Sequence, residues 1–505
     1  MLFAAGEGYR PATVTPPNPA REFRGAWLVT VANKDWPSRP GLPVDEQKAE
    51  LTSLFDRAVQ LKLNAIIFQV RPSSDAVYAS ALEPWSEYLT GTMGKAPRPL
   101  YDPLAFAIAE AHRRGLELHA WFNPFRAVHS QAKSAVAPTH IARTHPELVR
   151  RYGDQYWLDP GEPAVRAHVL GVIMDVVRRY DVDGVQFDDY FYPYPEKDAA
   201  GRDLEFPDGK TWLRFGLHAG FANRDDWRRA NVNQFIQSVY QSIKAQKPWV
   251  KFGISPFGIW RPRNPPQIQG LDAYAKLYAD SRLWLANGWL DYCAPQLYWA
   301  MEPKEQSFTA LLNWWVQQNP KGRQVWPGIN AANVGAKWGP DEIGRQIKAV
   351  REQARARGAI FYHLRSLTDN RALADVIHAA YPQTALVPGM PWLNSLPPDP
   401  PRLTVVENSA ALQEPGLSVR WESAGETAGR WLLQYRTNET WTTEILPAGQ
   451  TRWTFANLKP DVVVVRAMDR AGNLSAPAAL QKSGVRPVQP GKSGLNWNSS
   501  QPPKW

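Results

Sequence analysis

Residues 181–194 read Asp181-Val-Asp-Gly-Val-Gln-Phe-Asp-Asp-Tyr-Phe-Tyr-Pro-Tyr194, an apolar run that ends in two adjacent carboxylates and four aromatic residues. The first half alternates with a period of two. Val185 and Phe187 face one way, and Gly184, Gln186 and Asp188 the other, as in a strand. Ionised Asp188 and Asp189 repel each other and need partners once withdrawn from water. A loop cap beside a surface charge would explain one such ending. Other strands in the chain end in the same manner, and that favours a shared cleft.

Working outward, strand-like segments fall at 23–30, 64–71, 117–123, 184–190, 251–256, 291–299, 324–330 and 359–365. Helical patterns near 45–62, 103–115, 163–180, 226–247, 270–287, 306–318, 341–357 and 370–381 alternate with them. Eight successive βα units predict an α/β fold, a (β/α)8 TIM barrel enlarged by loops beyond the usual size of about 250 residues. A doubly wound open sheet is the alternative, and it lacks a G-x-G-x-x-G turn after the first strand.

A barrel makes a demand on strand parity, because inward side chains at the C-terminal mouth should be polar. Alternation points Gln69 and Arg71 inward on the second strand, and His119 and Asn123 on the third. The fourth contributes Gln186 and Asp188, the sixth Gln296 and Tyr298, the seventh Asn330 and the eighth His363. Any one of these is explained as a satisfied core group. Six strands together point to a site.

The chain has 505 residues, with 44% apolar, 21% charged, 23 Trp and 45 Pro, a globular composition too long for one small core. Indole faces suit sugar rings as well as packing. The net charge of +10 comes from scattered Lys and Arg without a basic block or nucleic-acid motif, so nucleic acid is not the expected partner. The lone Cys293 precludes an internal disulfide and reads as a buried apolar residue. No H-x-H, HExxH or clustered Asp/His spacing suggests a metal, and no cofactor is expected. No run is long enough to span a bilayer, and the first six residues are not a complete signal peptide.

Residues 1–22 read as a Pro-rich tail, 23–385 as the barrel and 386–401, with Pro397-Pro-Asp-Pro-Pro401, as a semi-rigid linker. Residues 402–484 carry short alternating segments separated by turns, a C-terminal β-sandwich. It resembles a fibronectin type III domain through Trp421 and the stretch 465–475, although Val464 stands where that family has its corner tyrosine. Residues 485–505 read as a disordered tail.

The barrel carries Arg24-Gly-Ala-Trp27, Phe68-Gln-Val-Arg71, Pro84-Trp-Ser86 with Leu89-Thr-Gly91, and His119-Ala-Trp-Phe-Asn-Pro-Phe-Arg126. Trp157-Leu-Asp-Pro-Gly161, the stretch 182–192, Asp226-Trp-Arg-Arg229 and Asp291-Tyr-Cys-Ala-Pro-Gln-Leu-Tyr-Trp299 follow in order. With these motifs, residues 23–385 resemble the glycosyl-hydrolase-like DigH family of bacterial peptidoglycan glycosidases. The resemblance implies hydrolysis of β-1,4 bonds in peptidoglycan glycan strands, mainly peptide-free ones, and work in the cell envelope, periplasmic or secreted. A non-catalytic glycan-binding protein on the same barrel is the alternative, and an enzyme on another polysaccharide or a deacetylase a third reading. Oligomeric state is left open.

Glycoside hydrolysis needs a protonated carboxylic acid, plus a second carboxylate or help from the substrate. Parity and a carboxylate neighbour make Asp188 the expected acid, with Asp189 orienting or polarising it. The strand-five ending Ser255-Pro-Phe lacks a second acid, and Glu302, Asp75 and Asp35 are loop alternatives. The segment 183–188 distantly resembles the Asp-Gly-x-Asp-x-Asp-x-Glu strand of chitinase barrels, which use the substrate's 2-acetamido group. Here Gln186 replaces an Asp, and Tyr190 stands at the acid position. In that route Tyr298 holds the acetamide carbonyl. His119, Asn123, Arg126, Gln186 and Gln296 are expected to hold hydroxyls and acetamides. Trp27, Trp121, Tyr190 and Trp299 offer stacking surfaces, and Arg71, Arg126 and Arg261 can pair the lactyl carboxylate of N-acetylmuramic acid.

Overall fold

The computed structural model describes residues 8–406, 416–425 and 428–485. It separates into two compact units: residues 22–383, and a second drawn from both flanks, up to Arg21 and from Thr384.

In the larger unit the strands are Phe23–Leu28, Ala65–Arg71, Glu117–Phe122, Gly184–Phe187, Lys251–Ile254 and Tyr292–Cys293. The seventh comes in two halves, Gln324–Val325 and Gly328–Asn330, and the eighth is Gly358–Tyr362. All pair in parallel. The lower half of the seventh joins the sixth, its upper half joins the eighth, and the eighth joins the first, so the sheet closes into a barrel. Pro327 explains the split, because it has no N–H to give. Its carbonyl still accepts Ile360 N–H at 3.1 Å, and Trp326 N–H reaches Cys293 O at 2.9 Å, so both edges stay bonded.

Each strand leads to a helix on the outside, and local signals fix where several of these begin. Pro103–Arg113 starts with Asp102 accepting Ala105 N–H at 3.0 Å and a proline in its first turn. Arg224–Gln246 starts with Asn223 accepting Asp226 N–H at 2.8 Å.

The lower barrel is a packed core. Phe23 and Trp326 stack at 3.7 Å, and Tyr292 lies on Trp326 at 4.7 Å. Glycines make this possible: a Cβ on Gly253 would fall 1.9 Å from the Tyr292 ring, and one on Gly184 2.6 Å from His119 Nδ1. His119 therefore belongs to the floor and not to a sugar site, a correction to the hydroxyl-binding role expected of it. Both its ring nitrogens are engaged, by Tyr292 Oη at 2.9 Å and Glu117 at 3.1 Å, and Glu117 also pairs with Lys251 at 2.9 Å.

A small antiparallel sheet of Arg126–Val128, Gln155–Leu158 and Val149–Tyr152, absent from the sequence reading, lies between the third strand and the helix Pro163–Arg179. Its Trp157 is fully buried and donates to Phe191 O at 3.2 Å, which anchors the aromatic end of the 181–194 stretch.

The second unit is a sandwich. One sheet holds Arg402–Val406, Gly416–Glu422 and Arg452–Ala456, and the other Arg430–Thr437, Thr440–Pro447, Val462–Met468 and Ala478–Lys482. Trp421, Trp431, Leu433, Phe455, Val463 and Val465 fill the space between them. The stretch expected as an N-terminal tail is revised: Tyr9–Pro11 pairs antiparallel with Ala478–Lys482. Tyr9 and Val14 are buried there, and apolar side chains with a core to enter do not leave the segment loose. Within the expected linker, Leu386, Val387 and Met390 are also buried. The disordered tail expected beyond 485 lies outside the described residues. Among the described residues no helix is long and apolar enough to cross a membrane.

Candidate active site

The fourth barrel strand leaves the ladder after Phe187, whose carbonyl accepts Ser255 N–H at 2.8 Å. Asp188 and Asp189 follow at the C-terminal mouth, where barrel loops gather functional groups. Both are almost fully buried. Asp188 Oδ2 accepts the Trp121 indole N–H at 3.0 Å and the Asn123 amide at 3.2 Å, while Oδ1 accepts Tyr190 N–H at 3.3 Å. Asn123 is itself fixed, its Oδ1 accepting Arg126 N–H at 3.0 Å. Asp189 accepts the hydroxyl of Tyr194 and an amide hydrogen of Gln296. Gln296 gives its other hydrogen to Ser255 O at 2.9 Å.

Burial is the largest influence on both carboxyls. It pushes Asp188 up to about 7, with the charge of Asp189 adding to the rise. Arg126 and the Trp121 and Tyr190 N–H groups hold it back. Burial raises Asp189 as well, against the pull of Tyr194 and Gln296. Arg126 lies over the Tyr190 ring at 4.2 Å and also bonds its hydroxyl, while its buried Nε has no hydrogen-bond partner among the described residues. Tyr298 and Tyr362 pack at 5.6 Å beside the pair. Asp189 and Tyr190 add to the burial that raises the Tyr298 phenol. Trp299 stands on Phe257 at 5.6 Å and is half-buried.

The structure thus gathers Asn123, Arg126, Tyr190, Gln296 and Tyr298 around the two acids. Other expected residues are occupied elsewhere. Arg71 is fully buried and spans Glu83, with Nε 2.7 Å from Oε2, and the carbonyls of Asn123 and Pro124 at 2.6 and 3.0 Å. It has no free donor face for a lactyl carboxylate, so it is a brace for the Asn123 loop. Trp27 is buried one layer below the mouth, giving its N–H to Gln186 at 3.2 Å. Gln186 in turn donates to Ser255 Oγ at 2.8 Å and to Phe187 O at 2.6 Å. Neither faces a sugar, and the stacking role for Trp27 and the hydroxyl-binding role for Gln186 are corrected to packing of the barrel interior. Arg261 is partly exposed on the loop after the fifth strand, paired with Asp272 at 3.2 Å and lying over Tyr274.

The alternative carboxylates are also committed. Asp75 is buried against Ser73 N–H and Ser86, and Glu302 pairs with Arg345 at 2.7 Å in solvent. Asp35 is fully buried against Val29 N–H, Arg365 N–H and His363. Sequence reasoning missed Trp121 as a partner of Asp188, Tyr194 as a partner of Asp189, and Tyr362. The only available signal was the inward parity that Trp121 shares with Asn123. Among the described residues no group of three or more His, Cys, Asp or Glu side chains is placed to hold a metal ion.

This chain is 43% identical over 401 residues to "Glycosyl hydrolase YngK" of Bacillus subtilis, covering 76% of this chain and 77% of that protein. It is 37% identical over 349 residues to "Glycosyl hydrolase DigH" of Escherichia coli, covering 65% of this chain and 77% of that protein. Among solved structures, the PgaB glycoside hydrolase domain of Bordetella bronchiseptica aligns with a TM-score of 0.47 at 14% identity, over 72% of this chain and 99% of that one. Residues 22–341 match the family described as Glycosyl hydrolase-like 10, and the chain belongs to that family.

Proposed function

We propose that this glycosidase cleaves β-1,4 bonds in peptidoglycan glycan strands, chiefly those freed of stem peptides, with Asp188 as the general acid. The observation that carries the reading is the state of Asp188: a buried carboxyl at the barrel mouth, held up to about 7, keeps a proton to give near neutral pH. The substrate class rests on the sequence resemblance set out above, and with it the location in the cell envelope. We read the sandwich as a fibronectin type III-like accessory module, from its strand order of three facing four plus the added Tyr9–Pro11.

The committed state of Asp35, Asp75 and Glu302 favours help from the substrate. In that route the 2-acetamido oxygen attacks the anomeric carbon as the glycosidic C–O bond breaks. Asp188 passes its proton to the leaving oxygen. Asp189 accepts the acetamide N–H, and Tyr298 donates to its carbonyl. Water then opens the cyclic intermediate and returns a proton to Asp188, so the products are two free sugar ends and the enzyme is restored.

The test is incubation with peptide-free glycan strands, native and de-N-acetylated, scored for new reducing ends. Cleavage of native strands alone supports the full route. Cleavage of both would keep the glycosidase and discard acetamide participation. Saturable binding without cleavage would leave the alternative, a glycan-binding protein.

A further inference from the structure

Asp35 and His363 form a pair that the acid on the fourth strand does not use. Asp35 stands in the loop after the first strand and His363 directly follows the eighth, so both lie at the same mouth as Asp188. In the closed ring the eighth strand is the one across from the fourth. Asp35 is fully buried, with Oδ2 accepting Val29 N–H at 2.8 Å and Oδ1 accepting Arg365 N–H at 3.1 Å and the His363 ring at Nδ1. Arg365 Nε also clamps Asp35 O at 2.6 Å. No substrate atom can reach that carboxylate. Its effect is to hold the imidazole in one orientation.

A carboxylate only accepts, so Nδ1 carries the hydrogen that points at Asp35, and in the neutral form of the ring Nε2 is left with its lone pair. The ring is mostly buried, and among the described residues Nε2 has no hydrogen-bond partner. Tyr362 joins this pair to the acids. Its ring lies 5.4 Å from His363 and 5.6 Å from Tyr298, and Tyr190 and Asp35 both act on its phenol. One continuous wall therefore runs from Asp189 through Tyr298 and Tyr362 to His363.

Building on the glycosidase reading, we propose that His363 Nε2 is a substrate contact, accepting a hydrogen bond from a sugar hydroxyl or acetamide N–H on the side of the cleft opposite Asp188, and that Asp35 is the residue that positions it. A pair that only braced two loops would need no open nitrogen. Here one nitrogen is fixed and the other is presented.

The experiment uses the whole chain with 15N-labelled histidine, titrated with the β-1,4 tetramer of N-acetylglucosamine, and His363→Gln identifies the resonance. The His363 Nε2 signal is expected to move saturably with ligand. His363→Ala should weaken binding about five- to tenfold, the effect of one neutral hydrogen bond, with thermal unfolding little changed. Asp35→Asn should shift the ring toward the Nε2–H tautomer and weaken binding to a similar degree. A shifted tautomer with unchanged affinity would show that Asp35 only braces the loops. An unmoved Nε2 signal while other signals saturate, or unchanged affinity in His363→Ala, would overturn the assignment and leave the glycosidase standing. Failure of the unmutated chain to bind or cleave either this tetramer or peptide-free strands would sink the functional reading, and this contact with it.

Discussion

Trp121 Nε1 lies 3.0 Å from Asp188 Oδ2, so an indole that the sequence offers as a stacking surface is a hydrogen-bond donor to the acid. A donor aimed at a carboxylate favours its ionised form. Trp121→Phe keeps the ring and removes the donor. Asp188 should then hold its proton to higher pH, and the alkaline limb of the kcat profile should move upward by about half to one unit. A profile that does not move would mean that the indole does not act on Asp188.

Asp188→Asn separates chemistry from folding. As the proton donor is lost, kcat should fall about 10²- to 10⁴-fold, the usual contribution of a general acid, while affinity for glycan survives. Stability should change the other way. The carboxyl titrates near 3.8 unfolded and about 7 folded, so the native state binds the extra proton between those values. Its contribution is intact below pH 3.8 and is lost as pH rises through 7. The amide has no charge to bury. The variant should melt higher than the parent at pH 8 and close to it at pH 4, as thermal unfolding at both values would show.

The barrel was legible because period-two apolar runs alternate with helical patterns eight times, and each strand lies within one residue of the segment that pattern gives it. Parity also told which side chains point inward. It did not tell their height. His119 pairs in register with Gly184, and Trp121 with Gln186, so His119 lies at the floor and Gln186 one layer below the mouth. Only Asn123, beyond the paired segment, reaches Asp188 among the polar inward residues of its strand. Arg71 has the right height and is captured by Glu83, a partner chosen by tertiary folding that no spacing rule announces. Tyr194 is the converse case, a proline-flanked loop residue whose hydroxyl returns to Asp189 through a turn that local pattern leaves open.

Glu83 holds Arg71 where no water reaches either group. Burial alone would raise the Glu83 carboxyl, but Arg71 and His168 bring it down to about 2. An unfolded glutamate titrates near 4.5, so this pair's stabilisation is complete above that value and disappears as pH falls through 2. Glu83→Gln leaves a buried guanidinium unpaired and should destabilise the barrel by about 3–5 kcal/mol at pH 7. Urea unfolding at pH 7 and pH 3 checks both statements. The difference between parent and variant should shrink at the lower pH.

Tyr9 donates its hydroxyl to Pro460 O at 2.7 Å, immediately before the strand Val462–Met468. On the fibronectin-like reading proposed above, a corner tyrosine ties its ring to backbone near the start of that strand, and here Val464 occupies the place expected for it. The edge strand Tyr9–Pro11 thus supplies from a distant part of the sequence the contact that the local position lacks. Two variants separate the hydroxyl from the ring. Tyr9→Phe should lower sandwich stability by about 1 kcal/mol, the worth of one buried hydrogen bond. Tyr9→Ala should remove about 3–5 kcal/mol, because the ring also fills the core beside Leu403 and Leu480. Hydrogen exchange at the amides of Val462–Met468 reads both effects within the sandwich. Equal protection in the parent and Tyr9→Ala would show that the strand is held without this contact.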